Sequence, residues 1–279
     1  MRNNYLVFGQ PLIEEPEIEE VVKSLRAGWL GTGPKVATFE KLIAEYKGAR
    51  YAVAVSSCTA GLHLSCLALD LQPADEVIVP ALTFCASVNA IIHAGATPVL
   101  ADVNANTFNI DMEQVLAKMS PRTKAIMPVH FAGRACDMDA LVSLAAERGL
   151  RIVEDCAHAI ETEYRGKKAG TFGDCGVLSF YSTKNIVTGE GGMVLTNDAD
   201  VAARIKVLAL HGMSQDAWQR FSDVEYKHYE VLEVGFKYNM MDLQAAIGMH
   251  QITRVEALWQ KRRQVWERYN EAFQDLPVK

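Results

Sequence analysis

The sequence lacks the marks of several protein classes. Its six cysteines include no Cys-x-x-Cys pair, and its nine prolines and 19 glycines are scattered along 279 residues. A disulfide framework and a zinc ribbon are therefore poorly supported, and a collagen helix or a disordered chain is ruled out. There is no block of lysine and arginine, and the net charge is −6, so we expect no nucleic-acid partner. From the cysteine spacing we expect no metal site.

The sequence also shows no typical targeting segment and no membrane-spanning segment. The first twenty residues have no apolar core and soon turn acidic, unlike a signal peptide. The stretch between Glu76 and Asp102 contains no Asp, Glu, Lys or Arg, but Pro80, Asn89 and Pro98 interrupt it. We expect a buried strand, helix and strand there instead of a membrane span. Cysteines inside apolar runs suggest reduced thiols and a cytoplasmic protein.

Short apolar runs alternate with stretches of helical period along most of the chain. Alternation of this kind predicts an α/β protein with a largely parallel sheet. Asp111, Asp137 and Asp200 are the expected N-caps of three helices. The strand-like runs lie at 51–56, 76–80, 97–103, 124–130 and 151–155, and the helical stretches at 60–70, 84–94, 111–119, 137–148, 199–209 and 242–275.

Several common catalytic motifs are missing as well. The sequence has no HExxH, no GxxxxGK[ST] and no GxGxxG after a strand. The segment GMSQD at 212–216 has Asp216 where a nucleophile elbow needs glycine. Metalloprotease, P-loop, nicotinamide dehydrogenase and serine hydrolase interpretations are all weakened.

Lys184 is the first candidate for chemistry. It lies in SFYSTKNIVTGEGGM, between a strand-like run and a glycine-rich turn, with no acidic neighbour closer than Glu190. A desolvated lysine loses its proton more easily and can form a Schiff base with a carbonyl compound. The alternative is a solvated loop lysine.

Asp155 and His158 follow a buried strand in RIVEDCAHA. The carboxyl ends of parallel strands are where α/β proteins bind ligands. Asp155 could keep a ring nitrogen protonated, and His158 could donate a hydrogen bond to a ring oxygen. The alternatives are a turn or N-cap aspartate and a core histidine with satisfied hydrogen bonds.

A third group lies in AVAVSSCTAGLHL, where a strand runs into a helix. Ser57, Cys58 and Thr59 could bind a phosphate at that helix N-terminus, although serine and threonine cap many helices that bind nothing. Phe84, in PALTFCASVN, could stack on a planar ring or could simply belong to the core.

Taken together, these groups form a more specific pattern than any one of them. The order is a phosphate turn, an aromatic residue, a strand-end aspartate and then a lysine 29 positions after it. This pattern resembles the DegT/DnrJ/EryC1/StrS family of nucleotide-sugar aminotransferases. The likeness extends from PLIEEPEIEE and WLGTGPK to GFKYNMMDLQAAIG.

The resemblance implies a type I aminotransferase fold, with a mostly parallel sheet between helices, and a homodimer with shared active sites. It implies pyridoxal 5'-phosphate as cofactor, carried by Lys184, with Asp155 at the pyridine nitrogen and His158 beside the ring hydroxyl. Phe84 would stack on the ring, and Thr59 and Ser179 would contact the phosphate. The implied reaction moves an amino group from glutamate to a keto group of a nucleotide-linked sugar, which leaves 2-oxoglutarate.

Two features depart from the family pattern. Many members have G-x-N-x-R where this chain has GFKYNMM, so Lys237 and Asn239 become the candidates for a neighbouring subunit's phosphate. A lysine can serve a phosphate as a point charge, but a surface lysine is the alternative. The KYN variant, EDCAHA and HGMSQDAW are most similar to the branch that makes UDP-4-amino-4-deoxy-L-arabinose, which also resembles enzymes acting on 4-keto hexoses.

The second departure is length, because family members continue for roughly another hundred residues. We expect a large cofactor domain at 1–245, and a linking helix with the start of a largely absent small domain at 246–279. Arg220, Lys227 and His228, in a polar excursion, are candidates for a nucleotide diphosphate. Two alternatives are a non-catalytic binding or regulatory protein and a sugar dehydratase of the same family, a branch that has His in place of Lys184.

Overall fold

A computed structural model of the chain describes residues 5, 7, 9–214 and 230–277. Its strands are β1 Tyr51–Val55, β2 Glu76–Pro80, β3 Thr97–Ala101, β4 Thr123–Ile126, β5 Arg151–Cys156, β6 Glu163–Tyr164, β7 Lys167–Lys168, β8 Cys175–Ser179 and β9 Gly192–Thr196. The helices are α1 Glu15–Ala27, α2 Pro34–Lys47, α3 Cys58–Ala68, α4 Cys85–His93, α5 Met112–Lys118, α6 Met138–Arg148, α7 Ala199–Ala209, α8 Asp242–Thr253 and α9 Val255–Phe273.

Seven of these strands form one mostly parallel sheet. The strand order is β1-β9-β8-β5-β4-β2-β3, and β6 pairs with β7 in a separate hairpin. The neighbours from β8 through β5, β4 and β2 to β3 are parallel, whereas β9 is antiparallel to both β8 and β1. Short strands joined through helices produce this arrangement, and the expected α/β fold is confirmed.

Aspartates begin three of the helices. The carboxylates of Asp111, Asp137 and Asp198 accept hydrogen bonds from backbone N–H groups in the first turns of α5, α6 and α7. Asp111 and Asp137 were predicted as N-caps, but the prediction of Asp200 was wrong. The helix begins two residues earlier, so Asp200 lies in the first turn and donates its N–H to Asp198 at 2.8 Å.

Both faces of the sheet are buried. One face packs with α3, α4 and α7, and includes Leu62 and Val177. The opposite face packs with α2 and α8 around Phe39 and Phe180, whose ring centroids are 5.1 Å apart. At β2 the second face is covered by α6, where Ile78 packs with Met138 and Leu141, and this two-sided burial explains why β2 is apolar along its length except for Glu76.

Lys47 is a buried cation in this second packing layer. Lys47 is the last residue of α2, and its Nζ donates hydrogen bonds to the carbonyl oxygens of Ala159 and Ile160 at 3.1 and 3.0 Å. Burial lowers the pKa of Lys47 to about 8, against the partial opposition of Cys156 and Glu154. The ammonium group therefore joins α2 to the chain that follows β5.

The domain boundary expected between residues 245 and 246 falls within helix α8. The division of the chain into two domains stays a prediction. In the part of the chain that the structure describes, no helix is long and apolar enough to cross a membrane.

Lys47 leads to a prediction about pH and stability. Between pH 8 and about 10.5 the folded chain releases the Lys47 proton while the unfolded chain keeps it, so the unfolded state binds more protons. The contribution of Lys47 to the free energy of unfolding should therefore rise with pH in this window, by up to about 1.4 kcal/mol per pH unit. Lys47→Met should remove that rise, which urea unfolding at a series of pH values would measure.

The control is Lys41→Met on the same helix, because the Lys41 side chain is 76% exposed. Equal pH slopes in Lys47→Met and Lys41→Met would contradict the prediction.

Candidate active site

A cavity of about 410 Å³ opens where β5 and β8 end and β9 begins. It collects residues that the sequence places far apart, as expected at the carboxyl edge of a parallel sheet. Of the ten residues selected from the sequence for catalysis or cofactor binding, eight line it. They are Ser57, Cys58, Thr59, Phe84, Asp155, His158, Ser179 and Lys184.

Asp155 is held rigidly at the end of β5. The residue is 5% exposed, and its Oδ1 accepts the backbone N–H of Ala157 at 3.1 Å. Its Oδ2 accepts the hydroxyl of Ser87 at 2.7 Å, and Ser87 is itself within 2.8 Å of the Thr83 hydroxyl. The carboxylate thus enters the cavity with one hydrogen bond on each oxygen and lone pairs left for a ligand.

Glu154, the preceding residue, faces away from the cavity because side chains alternate along a strand. Its carboxylate is fully buried and accepts the backbone N–H groups of Gly170, Phe172 and Gly173 at 2.7 to 2.8 Å. Burial acts to raise the pKa of Glu154, but the hydrogen bond from His130 and these backbone N–H groups outweigh it and lower the pKa.

His130 connects Glu154 to the cavity wall. Its Nδ1 accepts the N–H of Cys136 at 3.1 Å, so the ring proton lies on Nε2 and is donated to Glu154 at 3.0 Å. Potential ligand atoms of His130, Glu154 and Cys156 lie within 4.8 Å of one another. Both ring nitrogens and both carboxylate oxygens are already engaged by protein groups, and the cluster therefore gives no ground for a metal site.

Lys184 enters the cavity from the segment after β8 and is half-buried. Burial lowers the pKa of its amine, and the negative charges of Cys58, when ionised, and Asp155 act against that shift. Burial also raises the pKa of the Cys58 thiol well above its ordinary value, which keeps it uncharged. The geometry supplies an amine that gives up its proton more readily than a surface lysine.

His158 and Phe84 are the two ring-shaped side chains of the wall that were selected from the sequence. Burial is the main cause that lowers the pKa of His158, and the positive charge of Lys184 lowers it further. A neutral imidazole ring is therefore favoured near pH 7. Phe84 is the N-cap residue of α4, and its side chain is 77% exposed. An uncovered aromatic ring at a cavity is available for stacking on a planar ligand.

The phosphate-binding candidates lie together at the N-terminus of α3. Ser57 is the N-cap, and its Oγ accepts the N–H of Ala60 at 3.1 Å. Gly192 allows close approach, because a Cβ there would come within 2.5 Å of the Ser57 carbonyl carbon. Ser179 pairs with Gly192 across β8 and β9, which places Ser179 beside the same helix end. The helix N-terminus and these hydroxyls form a site suited to an anion.

Lys237 and Asn239 do not line this cavity. They lie on the chain segment beside the end of β1, where Asn239 bridges Val55 and the Tyr238 carbonyl accepts the N–H of Ser56. Asn239 donates to the Thr32 hydroxyl at 2.7 Å, whereas Lys237 is exposed. WLGTGPK and KYN, noted separately in the sequence, are therefore neighbours in space.

The cavity also contains residues that sequence reasoning missed. Thr83 and His130 approach it from loops, and Ser87 lies behind Asp155, 68 positions away in sequence. The spacing of Thr83 and Ser87, four residues apart at the start of a helix, was a signal for one hydroxyl pair. Arg220, Lys227 and His228 lie outside the described residues. Tyr181, Thr183 and Glu190 are the other polar lining residues that were not selected.

A hydrogen-bond chain also ties the Lys184 segment to α9. Asn185, next to Lys184, donates to Glu161 Oε2 at 2.7 Å, and Arg262 of α9 forms an ion pair with the same carboxylate. The Glu161 side chain is 6% exposed, whereas that of Arg262 is 41% exposed, so the connection is shielded from water only on the Glu161 side.

Comparisons with known proteins agree with the fold and the cavity. Residues 11–279 match the model of the DegT/DnrJ/EryC1/StrS aminotransferase family. The spore coat polysaccharide biosynthesis protein SpsC of Bacillus subtilis is 50% identical over 276 residues, which are 99% of this chain and 71% of SpsC.

Two solved structures extend the comparison. Spr1654 of Streptococcus pneumoniae, assigned as a sugar aminotransferase and solved in its PMP form, matches with a TM-score of 0.91 and 34% identity over 97% of this chain and 73% of Spr1654. DesI, solved in the presence of its TDP-sugar product, matches with a TM-score of 0.87 and 36% identity over 98% of this chain and 67% of DesI.

The fold and the cavity together define a protein of the type that uses pyridoxal 5'-phosphate. The chain belongs to the DegT/DnrJ/EryC1/StrS aminotransferase family, which is pyridoxal-phosphate-dependent and whose solved relatives include sugar aminotransferases. The residues present fit that cofactor: a lysine with a lowered pKa, a strand-end carboxylate and a helix N-terminus approached closely through Gly192 face one cavity.

Proposed function

We propose that this protein moves an amino group from glutamate to the C4 keto group of a nucleotide-linked sugar. The observation that carries the proposal is that Lys184 and Asp155 face the same cavity, with Phe84 exposed on its wall. An amine for covalent attachment, a carboxylate for a pyridine nitrogen and an aromatic surface for stacking are the groups that this reaction needs.

Seven of the candidates that line the cavity have a proposed contact with the cofactor. Asp155 holds the pyridine nitrogen, Phe84 stacks on the ring and His158 donates to the ring hydroxyl. Ser57, Cys58, Thr59 and Ser179 receive the phosphate at the N-terminus of α3. When bound, pyridoxal 5'-phosphate supplies an aldehyde that reacts with amines and a protonated pyridine that withdraws electrons.

Lys184 has two proposed roles, attachment of the cofactor and transfer of a proton. Because burial lowers the pKa of its amine, Lys184 can be neutral when it takes up a proton from the substrate carbon. Asp155 opposes that shift, so the amine can also hold the proton before returning it. This exchange between two protonation states is what a general base and acid requires.

The described cavity wall has few positive charges for the negative charge that its proposed ligands carry. Among the described lining residues, Lys184 is the one lysine or arginine, and the two histidines are His130 and His158. A cofactor phosphate, a dicarboxylate donor and a nucleotide diphosphate together carry far more negative charge. Additional cations are needed, and Arg220, Lys227 and His228 are the candidates from the chain itself.

The same deficit supports a homodimer with shared active sites. Lys237 is exposed, pairs with Leu210 just after α7 and does not line its own cavity, and we propose that it serves the phosphate in a partner's cavity. Asn239 would act from the same segment, held by Thr32. We propose an isologous two-fold interface larger than ~2,000 Å², the size of obligate dimers.

The nature of the sugar rests on relatives. SpsC is a polysaccharide biosynthesis protein, and DesI was solved with a TDP-sugar product. DesI supports a nucleotide-linked sugar as the acceptor for this chain, SpsC supports a role in polysaccharide biosynthesis, and a UDP-linked 4-keto pentose is the specific proposal. The free state of all six cysteines favours a reducing, cytoplasmic setting for this chemistry.

Replacing Lys184 tests the site of cofactor attachment. Lys184→Ala should abolish the adduct that borohydride traps between the protein and pyridoxal 5'-phosphate, because no other amine faces the cavity among its described lining residues. Peptide mass spectrometry would locate the reduced pyridoxyl group. Lys47→Met, which removes another lysine of lowered pKa, should leave the adduct intact. A full-yield adduct at a different lysine in Lys184→Ala would show that the assignment is wrong.

Mixed dimers test whether Lys237 serves the partner's site. A dimer of one Lys184→Ala chain and one Lys237→Ala chain, isolated through two affinity tags, should have one intact site and about half the normal cofactor content. A dimer of one unaltered chain and one chain with both substitutions should have none. The reverse pattern would place Lys237 in its own protomer's site, and a cofactor-bound monomer at micromolar concentration in sedimentation would contradict the shared site altogether.

A panel of acceptors tests the substrate class. Protein loaded with pyridoxamine 5'-phosphate should react rapidly with 2-oxoglutarate and with UDP- or dTDP-linked 4-keto sugars, and slowly with other keto acids. Stopped-flow absorbance would follow each single turnover. Asp155→Asn should slow every acceptor, since it weakens the charge that stabilises the protonated pyridine. Rapid reaction confined to small keto acids would overturn the sugar assignment.

A further inference from the structure

Behind Asp155 lies a pair of hydroxyl side chains that no step above uses. Ser87 is fully buried in the first turn of α4, and its Oγ lies 2.7 Å from Asp155 Oδ2. Thr83, one helical turn earlier, lies 2.8 Å from Ser87 Oγ and faces the cavity. These three side chains form one continuous hydrogen-bond chain that ends on the proposed cofactor ligand.

The direction of the protons in this chain follows from the carboxylate. An ionised Asp155 can only accept, so the Ser87 hydroxyl must donate to it. Ser87 Oγ is then left as an acceptor, and the Thr83 hydroxyl donates to Ser87. Each hydroxyl strengthens the next by polarisation, and the final bond to a charged group is among the stronger types.

The orientation of Asp155 depends on this chain. The N–H of Ala157 fixes Oδ1 at 3.1 Å, and Ser87 fixes Oδ2. With both oxygens held, the carboxylate cannot rotate about its last side-chain bond without losing a buried hydrogen bond. Without the Ser87 hydroxyl only the longer bond to Ala157 remains, and Oδ2 loses its fixed direction.

Phe84 and Ser87 come from the same turn of α4. Phe84 is the N-cap residue and Ser87 lies in the first turn, and the Ser87 N–H donates to the Phe84 carbonyl at 3.2 Å. One rigid turn thus supplies the stacking surface and fixes the carboxylate that meets the ring edge.

We infer that Ser87, supported by Thr83, is a positioning residue that aims Asp155 at the ring nitrogen of the cofactor. The inference rests on the proposed function, in which Asp155 contacts that nitrogen. Its consequence is specific: Ser87 should matter for a ligand that has the ring nitrogen and should hardly matter for one that lacks it.

The test compares pyridoxal 5'-phosphate with its 1-deaza analogue, in which a CH group replaces the ring nitrogen. Titration of the cofactor-free full chain, followed by protein fluorescence, gives both dissociation constants, and their ratio measures recognition of the nitrogen. We expect the unaltered protein to prefer the natural cofactor about tenfold or more, and Ser87→Ala to reduce this preference to threefold or less. Thr83→Val, which keeps Ser87, should reduce it about threefold and does not depend on the folding of Ser87→Ala.

Two further variants separate the possible failures. Ser65→Ala removes another fully buried serine, whose hydroxyl bonds to Gly61 in α3, and should leave the ratio unchanged. Asp155→Ala should abolish the preference, and its persistence in that variant would overturn the assignment of Asp155 itself. If Asp155→Ala loses the preference while Ser87→Ala and Thr83→Val retain it, or weaken both ligands equally, Ser87 has only a structural role and the inference is wrong.

Discussion

Two neighbouring carboxylates, Glu154 and Asp155, are buried at the end of β5, and the rest of the site depends on satisfying them. A buried charge is tolerated only when hydrogen bonds replace its lost water. Glu154 obtains them from His130 and from the backbone of 170–173, and Asp155 from Ser87 and Ala157. These demands bring three distant segments to one strand end, and two of them contribute Thr83 and His130 to the cavity wall.

The same burial sets the electrostatics of the cavity. Low hydration lowers the pKa values of Lys184 and His158, which would otherwise both favour their charged forms more strongly. Asp155 acts in the opposite sense on both groups. One carboxylate therefore aligns with the ring of a ligand and also limits how far the neighbouring amine and imidazole lose their protons.

Much of the fold and most of the selected site residues could be predicted from the sequence, because they depend on local patterns. Strand ends and helix starts locate Ser57 and Asp155 within a residue or two, Lys184 follows the end of β8 by five residues, and the parallel sheet brings these strand ends together. The hydroxyl of Ser87 could not be predicted in this way, since its partner lies 68 positions away. Asp200 shows the limit for helix boundaries: two aspartates compete, and only the backbone decides which one caps.

The alternation of side chains along β5 has a consequence for how this gene can change in length. Glu154 and Asp155 differ by one methylene group and by one position, yet they face opposite sides of the sheet. A single-residue insertion or deletion within 151–156 would exchange their surroundings, placing a longer acid in the cavity or an aspartate among the backbone N–H groups. Insertions and deletions in related sequences are therefore expected in the connecting loops and not among the six residues of β5.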